Sequence, residues 1–290
     1  MSGFDWELHN NIIWSYKTGH QILLSSAAVV DGVVYVGSYD HKLYALDAKT
    51  GELKWSYETD LYVVSSPAVV DGVVFIGSLD RNVYALYASN GTLKWNYTTG
   101  DLVVSTPTVV DGVVYIGSQD DKVYALNALT GELKWNYTTG DSIYSSPAVS
   151  AGIVYIGSQD NRVYALNVSN GNQLWNYTTG GNVDSSPSVA DDVVYVGSGD
   201  NYLYALTATT GDPLWSYETG DMVVSSPAIV NGVLYVGSYD HLVYAIGTQA
   251  QNTEAEPSQL FIVPLLVVIA VGLLAGSLAI LLYQRKRGVT

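Results

Sequence analysis

Six aspartates recur every 40 residues: Asp40, Asp80, Asp120, Asp160, Asp200 and Asp240, each closing a Gly-Ser-x-Asp run. Equal spacing puts one carboxylate on each copy of a structural unit, and a ring of six would collect cations. The same residue has a plainer use. A carboxylate in a tight loop accepts backbone N–H groups and fixes the turn, and a copied loop favours that use.

Breaks in the repetition mark the other candidates. His20, His41 and His241 fall in the first and last units, in the settings Tyr39-Asp40-His41 and Tyr239-Asp240-His241. Imidazoles flanked by carboxylates suit a transition metal, but no short His-to-His spacing accompanies them. Two copies of one surface residue is the simpler account. Asp184 stands where Val64, Val104 and Val224 stand, in the altered stretch Gly180-Gly181-Asn-Val-Asp184, and Gly199 replaces a larger loop residue nearby. The change would open a polar pocket, unless it is drift in one copy. Five asparagines, Asn90, Asn96, Asn136, Asn167 and Asn176, begin Asn-x-Ser/Thr sequences that fit N-glycosylation. No Ser/His/Asp order and no phosphate-binding glycine loop is present. Catalysis needs one differentiated constellation, and near-identical units offer six equal faces.

These residues are positioned by an internal repeat. The run beginning Asp31-Gly-Val-Val-Tyr-Val-Gly-Ser returns at Asp71, Asp111, Ala151, Asp191 and Asn231. Each unit reads as four short strands, for example Ser65–Val70, Val73–Gly77, Asn82–Tyr87 and Leu93–Thr98. Asp-Gly or Asn-Gly between the first two suits a two-residue hairpin, because both residues accept positive φ. The middle strands are apolar on both faces, as stacked blades require. The fourth alternates, with Leu93, Trp95 and Tyr97 on one face and Lys94, Asn96 and Thr98 on the other, so one of its faces is wet. Pro67 and its counterparts Pro107, Pro147, Pro187 and Pro227 put the first strand at an edge, lining a central channel. The sixth unit lacks a fourth strand, and Ile12–Lys17 predicts its replacement from the N-terminus. The expected fold is all-β: a six-bladed β-propeller of four-stranded antiparallel blades, closed by an N-terminal strand joining the last blade.

The stretch Ala45–Trp55, repeated nearly unchanged at Ala125–Trp135 and more loosely elsewhere, resembles the tryptophan-docking repeat of the pyrroloquinoline-quinone (PQQ) propeller superfamily. The likeness covers residues 12–247. It implies that Trp14, Trp55, Trp95, Trp135, Trp175 and Trp215 pack onto neighbouring blades, a role that suits a large ring with one N–H donor. That superfamily holds quinoprotein dehydrogenases as well as non-enzymatic propellers. The dehydrogenases typically have eight blades and often a pair of cysteines over the cofactor; this chain has six units and no Cys.

Composition bounds the partners. The part before Leu260 carries all 27 acidic residues and nine of the 12 basic ones, a net charge of −18. Such a domain repels nucleic acid. Leu260–Tyr283 is 24 residues without a charge, about 36 Å as a helix against a hydrocarbon core of about 30 Å. Basic residues follow at once, so the positive-inside bias puts the C-terminus in the cytoplasm and the propeller outside. Met1–Trp6 has no export-signal character, which leaves an upstream start or a cytoplasmic propeller held by its tail; the basic stop and the sequons favour the first. Gly272 and Gly276 match a helix-pairing pattern and suggest a homodimer.

The expected organisation is a lead at 1–11, a propeller at 12–247, an acidic polar linker at 248–259, a transmembrane helix at 260–283 and a basic tail at 284–290. The expected function is a membrane-anchored, cell-surface, non-catalytic binding or scaffold propeller for proteins or cell-envelope polymers, without a cofactor. The alternative is a quinoprotein-like oxidoreductase using PQQ and Ca²⁺.

Overall fold

The computed structural model of the chain describes residues 12–247. The lead, the linker, the apolar span with Gly272 and Gly276, and the basic tail lie outside the described residues. Among the described residues no helix is long and apolar enough to cross a membrane.

Every described element is a strand, and the strands form six antiparallel sheets in chain order. Blade 1 comprises β1 (Ala28–Val30), β2 (Val33–Gly37), β3 (Lys42–Asp47) and β4 (Leu53–Glu58); blade 2 comprises β5 (Ala68–Val70), β6 (Val73–Gly77), β7 (Asn82–Tyr87) and β8 (Leu93–Thr98). Blade 3 has β9 (Thr108–Val110), β10 (Val113–Gly117), β11 (Lys122–Asn127) and β12 (Leu133–Thr138); blade 4 has β13 (Ala148–Ser150), β14 (Ile153–Ser158), β15 (Arg162–Asn167) and β16 (Gln173–Thr178). Blade 5 has β17 (Ser188–Ala190), β18 (Val193–Gly197), β19 (Tyr202–Thr207) and β20 (Pro213–Glu218). Blade 6 has three strands, β21 (Ala228–Val230), β22 (Val233–Gly237) and β23 (Val243–Ile246).

The turns explain the strand ends. Asp31 and Gly32 have φ of 49° and 73°, the two left-handed residues of a type I′ hairpin, whose twist matches that of its strands. The first strand starts just after the proline rather than including it, because proline has no N–H to give the ladder. The fourth strand carries a bulge: Ala85 pairs with Trp95, but Leu86 pairs with Leu93, so Lys94 is extra. Alternation therefore breaks there. Leu93 turns away from the face of Trp95 and is exposed, which corrects the expected grouping of the two.

Blades stack face to face. Tyr35, Leu43, Ala45 and Trp55 of blade 1 pack on Val74, Ile76, Tyr84 and Leu86 of blade 2, and later pairs repeat this cluster. At each inner end a glycine admits the next blade. A Cβ on Gly37 would lie 2.6 Å from Val63 Cγ1, and one on Gly117 would lie 2.3 Å from Ile143 Cγ2. At each outer end a tryptophan clamps the next blade. The Trp55 indole N–H donates to Ala88 O at 2.9 Å, and Trp95, Trp135 and Trp175 donate to Ala128, Val168 and Ala208 in turn. Each ring lies on a glycine such as Gly91, which has φ of 72° and no room for a Cβ.

The ring does not close as expected. Val29 and Ile22 are exposed, and Leu23 is 53% exposed where its counterpart Val63 is 1%. Gly237 meets nothing nearer than 3.5 Å, whereas Gly197 is jammed against Val223. A ladder of inner-rim hydrogen bonds runs from Ser26 N–H to Ser66 Oγ and on through Thr106, Ser146 and Ser186 to Ser226. Among the described residues it stops there. Residues 12–17 form no strand with β23, yet they dock on blade 1 as each fourth strand docks on the next blade: Trp14 donates to Ala48 O at 3.0 Å and lies on Gly51, and Tyr16 packs on Tyr44. Among the described residues no apolar cluster joins blade 6 to blade 1, as clusters join the other neighbours.

Candidate functional site

The six repeated aspartates sit in the loops between second and third strands. Asp120 shows their use. Its Oδ2 accepts the Gly100 N–H at 2.6 Å and the Tyr124 hydroxyl at 2.5 Å, and its Oδ1 accepts the Lys122 N–H at 3.2 Å. Asp40, Asp80, Asp160, Asp200 and Asp240 make the same three bonds to their own loop, to a tyrosine four residues on, and to the strand that leads into the blade. Burial pushes the Asp40 carboxyl up, but the bonds from Tyr44, Gly19, Ser38 and Lys42 outweigh it and hold the group below the usual range. Burial, and then the Asp40 carboxylate, push the Tyr44 hydroxyl up to about 12. These carboxylates are clasps, with both oxygens already engaged.

The histidines are not gathered. His20 stacks on Tyr39 with ring centroids 6.3 Å apart, and His41 lies 5.2 Å from the ring of Tyr62, both in the first two blades. His241 belongs to blade 6, across the gap. His41 and His241 hold φ of 70° and 72°, the left-handed turn position that Arg81, Asp121, Asn161 and Asn201 hold elsewhere. Among the described residues no group of three or more His, Cys, Asp or Glu is placed to hold a metal ion.

Asp184 lies on the inner rim. Its column across the blades reads Leu24, Val64, Val104, Tyr144, Asp184 and Val224, so two neighbouring polar residues interrupt an apolar rim. Gln159 Nε2 donates to Asp184 Oδ1 at 3.1 Å, and burial pushes the carboxyl up against that bond. Burial, then the charges of Asp184, Asp101 and Asp141, push the Tyr144 hydroxyl up. Tyr144 and Gln159 were not singled out by sequence reasoning. Aligning the copies column by column finds Tyr144, since it replaces a valine one repeat before Asp184.

The cavity on the axis is lined by Leu24, Val64, Val104, Thr106, Tyr144, Ser146 and Ser186, and its volume is about 10 Å³, room for about one water. A tricyclic quinone does not fit there, and the aspartate clasps have no free oxygen to offer its Ca²⁺. Of the sequon asparagines, Asn90, Asn96, Asn136 and Asn176 are exposed, the last three on β8, β12 and β16; Asn167 is half-buried and accepts the Ser169 N–H.

A family described as the beta-propeller of beta-alanine-activating enzyme matches residues 7–192. The chain belongs to that propeller family. Residues 178–255 match a second family, described as outer membrane protein assembly factor BamB. No curated protein matches the chain. Among solved structures, BamB from Moraxella catarrhalis superposes with a TM-score of 0.69 at 19% identity, over 81% of this chain and 76% of its own. The computationally designed Ika8 protein gives 0.71 at 17% identity, over 78% and 71%. A quinohemoprotein alcohol dehydrogenase from Pseudomonas putida HK5 gives 0.66 at 20% identity, over 79% of this chain and 52% of its own, so this chain spans about half of that enzyme. At these identities the likeness shows a shared fold.

Proposed function

We propose that the chain is a non-catalytic propeller that binds protein partners, tethered to a membrane by residues 260–283 with its blades on the outer side. One observation carries this reading. The carboxylates present on all six blades, Asp40 to Asp240, are each spent on fixing a turn, and the axial cavity that Tyr144 lines holds about 10 Å³. The surface is built for display rather than for turnover. The likeness to BamB, a family described as an outer membrane protein assembly factor, supports a protein-binding role at an envelope. Exposed Asn96, Asn136 and Asn176 are the proposed glycan sites on the outer strands, and Gly272 with Gly276 a proposed pairing face of the anchor.

Protease treatment of intact cells tests the placement, read with one antibody to the propeller and one to residues 284–290. Loss of the propeller signal with a protected tail is the expected result. A protected propeller overturns the surface placement and the glycans with it. The superposition on a quinohemoprotein dehydrogenase keeps one rival in view. Titration with PQQ and Ca²⁺, followed by dye reduction with alcohols, is expected to show neither uptake nor turnover. Stoichiometric uptake with turnover overturns the non-catalytic reading.

A further inference from the structure

Two rim positions that are apolar on the other blades turn polar on neighbouring blades 4 and 5. Tyr144 and Asp184 stand in the column that Leu24, Val64, Val104 and Val224 fill. Stacking brings Gln159 of blade 4 onto Asp184 of blade 5, with Nε2 bonded to Oδ1 at 3.1 Å. Among the described residues no hydrogen bond engages Asp184 Oδ2 or the Tyr144 hydroxyl, and no cation pairs with the carboxylate. A half-buried carboxylate kept on these terms costs stability, and burial pushes it up accordingly. An opposite charge beside it removes that cost.

The negative charge acts on one point. After burial, the charges of Asp184, Asp101 and Asp141, in that order, push the Tyr144 hydroxyl up. Among the described residues these carboxylates do not gather as ligands of a metal ion. Their spread suits an organic cation whose N–H groups seek acceptors. Tyr144 also lines the axial space of about 10 Å³, where Leu24, Val64 and Val104 supply apolar wall and Thr106, Ser146 and Ser186 supply buried hydroxyls. Each of these hydroxyl oxygens accepts one backbone N–H, from Ser66, Thr106 and Ser146 in turn, and has a second lone pair to give. Room for about one water is room for an ammonium group and too little for a planar guanidinium. Apolar wall for an alkyl stem, with acceptors for a compact charged head, fits a lysine side chain. The mouth faces away from the tether. Val183 N–H donates to Ser158 O at 3.1 Å, which puts Asp184 at the end of the blades that carries the β14–β15 loop, whereas Gly247 lies beside Gly232 in the turn at the other end.

We propose that the channel mouth beside Tyr144 and Asp184 is a docking point for a protein partner, and that the partner inserts a lysine side chain there. The ammonium takes the Tyr144 hydroxyl oxygen and the unengaged Asp184 Oδ2 as acceptors, and its stem lies on the apolar wall of Val64 and Val104. This inference rests on the protein-binding reading above and names the place and the chemistry of the contact.

The probe is the peptide acetyl-Gly-Gly-Lys-Gly-Gly-amide, added to the full chain in nanodiscs and fixed with a carbodiimide, which joins the lysine amine to a nearby carboxyl as an amide and takes up the water lost. Mass spectrometry then maps the joined carboxyl. The expected result is saturable labelling of Asp184 ahead of the more exposed Asp101 and Asp141. The same peptide with arginine in place of lysine is expected to compete at least about tenfold less well. Tyr144→Val is expected to lower labelling of Asp184 by about tenfold, through loss of a hydrogen bond to a charged group. That variant and Asp184→Val both restore the residue of Val64 and Val104, so both are expected to melt no lower than the parent. Labelling that follows exposure, with Asp101 and Asp141 first, overturns the proposal, and so does labelling of Asp184 that Tyr144→Val leaves unchanged. Equal competition by the arginine peptide overturns the lysine assignment. Spermidine that protects Asp184 at lower concentration than the peptide would assign the site to a free polyamine and overturn the protein source. If a partner captured from cells binds the Asp184→Val chain undiminished, the mouth fails while the protein-binding reading stands.

Discussion

The interface between blades 3 and 4 and the flank of blade 6 are made of nearly the same residues, yet one is dry and the other is wet. Tyr115, Val123, Ala125 and Trp135 are buried against Val154, Ile156, Tyr164 and Leu166. Their counterparts Tyr235, Val243 and Ala245 face solvent. The difference teaches that blade sequence alone does not decide burial here. A neighbour does, and a repeat array has two ends at which it is missing.

Removing the tryptophan clamp is expected to break the contrast most strongly. Trp135→Ala deletes a buried ring, its bond to Val168 O and its seat on Gly171, and is expected to cost about 3–5 kcal/mol. Trp215→Ala removes a ring already 38% exposed, and is expected to cost less than half as much. Urea unfolding of the two variants reads the difference. Equal losses would mean that blade 6 is covered in solution.

The inner glycines sharpen the same point. Gly117→Ala places a methyl 2.3 Å from Ile143, while the nearest neighbour of the same methyl on Gly237 is Ser225 Oγ at 3.5 Å. Overpacking is expected to cost the first about 1–3 kcal/mol. The second is expected to stay near zero, by thermal melting. A ring closed in solution would seat Leu23 on Gly237, and the two costs would then match.

Alkaline unfolding separates interior clasps from the edge clasp. Burial, then the bond to Asp160, push the Tyr164 hydroxyl up to about 12, against about 10 for the unfolded chain. A raised folded value means that this stability is fully present below about pH 10 and is lost as pH climbs toward about 12. Tyr164→Phe is expected to remove that part of the alkaline transition. Tyr244→Phe, on the exposed blade, is expected to move it less, and equal shifts would count against the difference between the two clasps.

Much of the fold could be read before any coordinates. Asp-Gly pairs marked the hairpins because left-handed φ is a local requirement, and the number of units marked the number of sheets. The outer-strand bulge was not legible, because the sequence Leu-Lys-Trp alternates correctly and only the partner strand shows that Lys94 is extra. The open gap was hidden for a different reason. It is a property of how the first and last units meet, which no single 40-residue unit contains. At the rim, Asp184 stood out as a lone break, but its meaning came from Tyr144 and Gln159. They lie 40 and 25 residues away in sequence and meet it only when blades stack.

The smallest expected effect isolates rim chemistry from closure. Asp184 stands in an interface with both neighbours present, and Val224 stands in the same column beside the gap. Asp184→Val therefore restores the residue the fold already accepts at Val64 and Val104. Burial raises the Asp184 carboxyl above its unfolded value, with one opposing bond from Gln159. The folded chain thus holds the proton more tightly than the unfolded one. The sign follows: the charged group costs stability above the unfolded pKa, and the cost fades as pH falls through the folded value and then below the unfolded one. The side chain is only half-buried, so solvent screens the penalty. Asp184→Val is expected to gain under about 1 kcal/mol at neutral pH and to lose that advantage in acid, measured by melting across pH. A gain that persists unchanged into acid would assign it to apolar packing beside Tyr144 rather than to the buried charge. A loss at neutral pH would mean that the Gln159 bond outweighs the burial, and that the polar rim is a stabilising feature of the fifth blade.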